Sequence, residues 1–453
     1  MNTSLTTFQR VLLAVILLEI PLRLDVHLDY HEAEAAYGAL GGWSISVTTI
    51  CLGVLYGAWL AAIAAHKLRP RQQWIGGILP GLIYLSVVAL SVVVAQKPIL
   101  ALFELFSLFQ AFLIFLYLFR WIRRGSDLRF VVTLLMVGLV LQSACMLGLY
   151  AWGHSIQFPG IDARLDAGGR VGGTVGAPNE AGSYLALLLP VALGVILAGW
   201  SRRSRMLGIA CVALGTAALI TTQSRGGWIG YAVGLSFFLI AALFQRRISI
   251  LVPTAIGLTA LVVGLTFQSV IVARLTKSDR GSAYSRITLM EVAMRVVEDA
   301  PILGSGANNL AVAMLPYAQS SNYRGTFMYV VHNRHMQVLA ETGLAGLVAW
   351  LVFLFSALLR GWRSWRINDR FFSPIALGAV AGIAGEMVHM SGEVFGGRAP
   401  MEILWVLAAL TAILYRWTMQ TAVELQAASC NGSPVPASTP SLAGVQSGVA
   451  NSW

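Results

Sequence analysis

Pro98-Ile99-Leu100-Ala101-Leu102-Phe103-Glu104-Leu105-Phe106-Ser107-Leu108-Phe109-Gln110-Ala111-Phe112-Leu113-Ile114-Phe115-Leu116-Tyr117-Leu118-Phe119-Arg120 is an apolar run with one carboxylate inside it and a cation at its end. As a helix it is about 35 Å long, enough to cross a hydrocarbon core of about 30 Å. Comparable runs lie near 8–24, 44–65, 73–95, 128–150, 179–199, 205–222, 226–244, 248–269, 337–359, 373–392 and 400–419, about twelve spans in all. Hydrophobic residues make up 57% of the 453 residues and charged ones 11%. A soluble chain is about a quarter charged, so this is an integral membrane protein. Continuous runs, rather than alternation, indicate an all-α protein and not a barrel. No small-residue cleavage site follows the first run; Pro21-Leu22-Arg23-Leu24-Asp25 does, and the run reads as a helix rather than a signal peptide.

Alternate loops carry Lys67/Arg69/Arg71, Arg120/Arg123/Arg124/Arg129, Arg202/Arg203/Arg205, Arg246/Arg247 and Arg360/Arg363/Arg366/Arg370, while residues 25–34 are acidic. The positive-inside rule makes the basic loops and both termini cytoplasmic. The net charge of +11 is therefore mainly a topology signal, and arginines spread over many loops do not indicate nucleic acid. Cys51, Cys145 and Cys211 fall in spans and Cys430 in the tail, so neither a disulfide nor a thiolate metal site is indicated. The expected organisation is helices 1–9 over 1–269, a large periplasmic loop over 270–336, helices 10–12 over 337–420 and a disordered cytoplasmic tail over 421–453. There is no visible internal repeat of the kind many transporters carry.

Two polar segments break the helical rhythm on the outer side. One is 151–178, with Gly168-Gly169-Arg170-Val171-Gly172-Gly173; the other is 270–336. Long loops in a compact protein are usually functional. Within the second, 284–299 has helical periodicity, with Ser282 or Ser285 as cap and Pro301 beyond its end. Thr288, Glu291, Arg295, Glu298 and Asp299 form a polar face; Ile287, Leu289, Met290, Ala293, Met294, Val296 and Val297 form an apolar one. Arg286 lies at the centre of the apolar face in the first turn, where a cation either snorkels to the surface or meets a carboxylate or a bound anion. The helix N-terminus favours an anion at the same place. Arg225, in Ser224-Arg225-Gly226-Gly227-Trp228 between two spans, is either an interfacial anchor or an anion ligand beside glycines that admit backbone N–H groups.

The large loop leads into Val331-His332-Asn333-Arg334-His335-Met336-Gln337, followed by Gly343-Leu344-Ala345-Gly346. At 100° per residue, His332, Met336, Leu339, Gly343, Gly346 and Trp350 share one helical face, with glycines admitting a neighbouring helix. A titratable imidazole at the mouth of that seam suits proton transfer to or from a lipid-borne substrate; the alternative is an ordinary interfacial histidine. His335 lies about 60° from the His332 axis.

The His332-Asn333 pair ahead of Gly343-x-x-Gly346, the Ser224-Arg225-Gly226-Gly227 turn and the large loop before the His-bearing helix together resemble the bacterial O-antigen ligase/polymerase family of membrane glycosyltransferases. The likeness runs from about 130 to 420. Gly176-Ala177-Pro178-Asn179-Glu180 resembles the family's Pro-Asn element, with Ala177 departing from the commoner Asp-Pro-Asn form. The resemblance implies a GT-C-like membrane fold and a donor glycan on undecaprenyl diphosphate. The acceptor would be a sugar hydroxyl of lipid A–core oligosaccharide for a ligase, or of another lipid-linked glycan for a polymerase. It implies His332 as general base, Arg225 and Arg286 as ligands of the donor diphosphate, and inversion at the anomeric carbon. The expected site is on the periplasmic face of the bacterial inner membrane, beside a cleft open to the bilayer for the prenyl chain.

Asn333, Arg334, Gln337, Arg170, Asn179, Arg280 and Arg324 are further candidates for substrate contact. Asp162, Asp166, Asp279, Glu291, Glu298 and Asp299 contain no Asp-x-Asp pair, so arginines are expected in place of a metal and no cofactor is implied. A protein O-oligosaccharyltransferase of the same family is a third reading. A transporter or flippase would need ionisable groups deep in the spans, for which Glu104, Glu386 and His389 qualify. Most spans carry no charge, and the enzyme reading is the stronger, with ligase ahead of polymerase.

Overall fold

The structure is a computed structural model that describes residues 5–22, 24–65, 75–158, 161–266, 268–269, 272, 282–320 and 328–430. The chain begins with helix α1 (Thr7–Glu19), then a hairpin of β1 (Asp25–Leu28) and β2 (Trp43–Ser46) around a short α2 (Glu32–Ala36). Helices α3 (Val47–Ala64), α4 (Ile75–Ser91), α5 (Pro98–Trp121) and α6 (Gly125–Trp152) follow. A small antiparallel sheet of β3 (Ile156–Phe158), β4 (Ile161–Leu165) and β5 (Val171–Gly173) leads to α7 (Pro178–Leu197), α8 (Arg202–Thr221), α9 (Arg225–Phe244) and α10 (Leu251–Thr266). Then come α11 (Ser282–Asp299), α12 (Leu310–Ala313), α13 (Leu315–Ser320), α14 (Arg334–Arg366), α15 (Ser373–Met390) and α16 (Arg398–Cys430).

Among the described residues, ten helices are long and apolar enough to cross a membrane: α3 to α9 and α14 to α16. The other two expected spans, 8–24 and 248–269, appear as α1 and α10, with 13 and 16 residues. The last described element, α16, runs to Cys430. The apolar windows of α7, α15 and α16 are 83%, 83% and 89% buried, so these three helices are the centre of the bundle. Gly382 and Gly385 of α15 lie so close to the carbonyls of Leu187 and Gly230 that a Cβ on either would collide with backbone. This close approach lets helices without water-driven association gain packing contacts.

Two expectations about the His332 helix are corrected. His332 stands in a bend before α14, whose first residue is Arg334 and whose cap is Asn333. Gly343 then interrupts the helix at φ 65°, ψ −169°, so the single glycine-lined face from His332 to Trp350 does not form. The break is filled by the segment after α11. Ser305 and Gly306 N–H donate to the Ala340 and Glu341 carbonyls at 3.0 and 2.8 Å, and Leu344 and Ala345 N–H donate to Pro301 and Ile302 carbonyls at 2.8 and 3.3 Å. The helical hydrogen bonds lost at the break are thus replaced, as a buried backbone requires. Gly343 admits this segment rather than a neighbouring helix.

The same segment anchors the large loop to the bundle. Asn308 Oδ1 accepts from Leu40 N–H at 2.7 Å, its Nδ2 donates to the Leu40 and Leu100 carbonyls at 2.9 Å, and Asn309 Oδ1 accepts from Lys97 N–H at 2.8 Å. Within the first half of α14, Arg334 meets Glu104 of α5 at 2.9 Å with side-chain exposures of 3% and 15%. Removing one partner of such a pair strands the other charge. Glu104→Ala is expected to destabilise the detergent-solubilised protein by about 3–5 kcal/mol in thermal or denaturant unfolding; an unchanged midpoint would show that Arg334 is satisfied without it.

Candidate active site

A polar cavity of about 180 Å³ lies where the N-termini of α7, α9 and α11 meet the approaches to α14 and α16; Arg170, Asn179, Ser224, Arg225, Gly226, Arg286, His332, Gly392 and Glu393 line it. Both segments that broke the helical rhythm contribute. Ser224 caps α9 by accepting from Gly227 N–H at 3.2 Å, which places Arg225 and Gly226 in the first turn of a 20-residue helix. The partial positive charge of that end faces the cavity.

Arg170 reaches the same place from the small sheet. Asp166 Oδ1 accepts from Gly168 and Arg170 N–H at 2.8 and 2.9 Å, forming the turn that leads into β5. Arg170 Nε donates to the Thr222 carbonyl at 3.1 Å, and Nη2 donates to Asn179 Oδ1 at 2.5 Å. Asn179 is the second residue of α7, after Pro178. At the departure from Asp-Pro-Asn, Ala177 has no side chain with which to cap; Glu180 accepts from the Ala177 N–H at 3.3 Å instead.

Arg286 stands at the top of the α11 stripe whose buried members are Leu289, Val292, Ala293, Val296 and Val297. Ile287 and Met294, expected on that apolar face, are instead exposed. Arg286 Nη2 donates to Glu393 Oε2 at 3.3 Å, and His332 Nε2 is 3.9 Å from Glu393 Oε1. The carboxylate that meets Arg286 is therefore the one that also faces the imidazole. Burial, and then the Arg286 charge, hold the His332 pKa below its ordinary value of 6.5 against the opposing pull of Glu393. A neutral imidazole in this position can accept a proton.

His335 is committed elsewhere: Trp350 Nε1–H donates to its Nδ1 at 3.3 Å, and its Nε2 faces the Met387 carbonyl at 3.2 Å. Asn333 Oδ1 caps α14 by accepting from Met336 N–H at 3.0 Å. Arg334 and Gln337 lie in the buried network with Glu104 and Glu341, away from the cavity lining. Arg280 and Arg324 fall outside the described residues. Sequence reasoning passed over Glu393. The available signal was a lone carboxylate in the glycine-containing turn Gly392-Glu393-Val394-Phe395-Gly396-Gly397 between two spans.

Residues 210–351 match the family model described as O-antigen ligase. That match supports membership of the O-antigen ligase/polymerase family. The ten long apolar helices and this match together make the chain a multi-pass membrane protein. The matched segment includes Arg225, Arg286 and His332, and is narrower than the likeness from about 130 to 420 suggested; Arg170, Asn179 and Glu393 lie outside it. A Haemophilus influenzae (strain ATCC 51907 / DSM 11121 / KW20 / Rd) protein, named only as an uncharacterized protein, is 22% identical over 228 residues. That alignment covers 47% of this chain and 57% of the relative, so the chain spans little more than half of the relative's length.

Proposed function

We propose that this protein is an O-antigen ligase. It transfers a glycan from undecaprenyl diphosphate to a sugar hydroxyl of lipid A–core on the periplasmic face of the inner membrane. The observation that carries the reading is the meeting of His332, Glu393, Arg170, Arg225 and Arg286 around one cavity at a helix N-terminus. At about 180 Å³ it is smaller than a pocket for a whole drug-sized ligand, and suits the diphosphate and the reacting carbon, with glycan and prenyl chain outside.

In this reading His332 Nε2 takes the acceptor hydroxyl proton as the oxygen attacks the anomeric carbon. The bond from that carbon to the diphosphate oxygen breaks, and its electron pair leaves with the diphosphate. Arg225, Arg286, Arg170 and the first N–H groups of α9 stabilise the charge that develops there. Glu393, which faces the same nitrogen, stabilises the imidazolium once the proton has arrived. Attack opposite the leaving group inverts the anomeric carbon. Three guanidinium groups supply the positive charge that a divalent ion supplies elsewhere, so the reading needs no metal.

The test is surface display of O-antigen in a ligase-null host. Banded lipopolysaccharide is expected with the wild-type chain and lost with Arg225→Ala at matched membrane levels. Banding unchanged by Arg225→Ala would remove that guanidinium from donor binding. Restoration in a polymerase-null host instead would replace ligase with polymerase.

A further inference from the structure

Beneath the cavity floor lies a pair of ionisable groups that the proposed transfer does not use. His389, on the last turn of α15, has a fully buried side chain, and Glu386, one turn earlier, is 1% exposed. His389 Nδ1 is 3.1 Å from Ser183 Oγ of α7 and 3.3 Å from Glu386 Oε1. Its Nε2 has no hydrogen-bond partner among the described residues. That edge of the ring faces Gly226, where a Cβ would come within 2.9 Å of Nε2. Gly226 lines the cavity, as do Gly392 and Glu393, and Gly392 N–H donates to the His389 carbonyl at 3.0 Å. A single residue without a side chain therefore separates the unpartnered imidazole nitrogen from the place assigned to the diphosphate.

We propose that the His389–Glu386 pair is a proton-binding site coupled to the cavity, taking up a proton at His389 Nε2 when a diphosphate binds. The proposal rests on the diphosphate reading above. The chemistry follows from charge: with Nδ1–H directed to Glu386, Nε2 carries the free lone pair, and an anion entering over Gly226 favours its protonation. The proton comes from the medium, and no bond to the ligand forms. The charged groups around His389 are Glu386 on its own helix, Glu393 beyond the helix end and Arg286 of α11. Its neighbour from α7 is the neutral Ser183; α9 presents Gly226 and Gly230 to it, below Arg225 in the first position of that helix. On the α14 side, His335 is held against Met387 O. Apart from His389, the titratable groups that face the same binding event are His332 and Glu393, which line the cavity.

Calorimetry of the solubilised full-length chain with farnesyl diphosphate, at one pH in two buffers of different ionisation heat, measures protons taken up per ligand bound. The ligand's own ionisation is common to all chains and cancels in their differences. The wild type is expected to exceed His389→Gln by up to about one proton. The same excess should appear when both chains also carry His332→Asn. Glu386→Gln, which leaves the imidazole in place, should diminish it. Equal uptake by wild type and His389→Gln overturns the proposal, as does an excess that disappears in the His332→Asn background. A purely structural histidine would change binding or stability without changing proton stoichiometry. Absence of any farnesyl diphosphate binding to the wild type would overturn the diphosphate reading and, with it, this coupling; binding without the proton difference overturns the coupling alone.

Discussion

Replacing His332 with asparagine is expected to lower turnover of glycan transfer by about 10²–10⁴-fold, the range for losing a positioned general base. Binding of the prenyl diphosphate donor should change little, because the guanidinium groups and the α9 N-terminus remain. Asparagine keeps a polar group beside Glu393 but cannot take the acceptor proton. The pH dependence gives a second check. A base must be deprotonated to act, so kcat/KM should fall as pH drops through the His332 pKa. Burial and Arg286 hold that pKa below 6.5, which puts the acid limb below 6.5. Glu393 opposes this shift and Arg286 adds to it, so Glu393→Gln should move the limb further down and Arg286→Gln should move it up. The sign for stability is the same. With the folded pKa depressed, the contribution of neutral His332 is present above the unfolded value and lost as pH falls below it. Activity in His332→Asn within tenfold of wild type, or an acid limb that the Glu393 and Arg286 variants leave in place, would remove His332 from the base role.

Gly343→Ala is expected to be strongly destabilising. Its backbone, at φ 65° and ψ −169°, occupies a region open essentially to glycine, which costs an L residue about 1–3 kcal/mol. The added carbon would also collide with the Ile302 carbonyl and stand 2.5 Å from Leu303 N. The segment 301–306 would have to withdraw, exposing the unpaired backbone groups of residues 340, 341, 344 and 345 inside the bundle. Because α11, carrying Arg286, and α14, preceded by His332, both join this segment, the variant should lose thermal stability and transfer activity together. Gly53→Ala is the control: no atom lies within 4 Å of a Cβ placed there, so it should behave as wild type. A Gly343→Ala protein with an unchanged melting temperature would show that the break tolerates a side chain.

The membrane class and the positions of the ten long spans were legible in the amino-acid order because the signal is local. About twenty contiguous apolar residues announce a span whatever surrounds them. Arg225, Arg286, His332, Arg170 and Asn179 could be named for a related reason. Each interrupts an apolar or glycine-rich pattern with a group that needs a partner, and the cavity contains all five. The neighbours of His332 could not be sorted by order alone. Asn333, Arg334 and Gln337 adjoin it in the chain, yet capping at Asn333 starts a helix that turns Arg334 and Gln337 toward Glu104 and Glu341.

The amino-acid order by itself determined a helical membrane protein with cations and an imidazole gathered at the interrupted ends of its spans. Tertiary structure alone decided that Glu393, 107 residues from Arg286 in the chain, joins that arginine to His332. It alone decided that Gly343 breaks a helix to admit another segment, and that His389 lies against Gly226. Hydropathy is carried by a stretch of chain. An ion pair, a replaced hydrogen bond or a close approach is a relation between distant residues that exists only once the helices have packed.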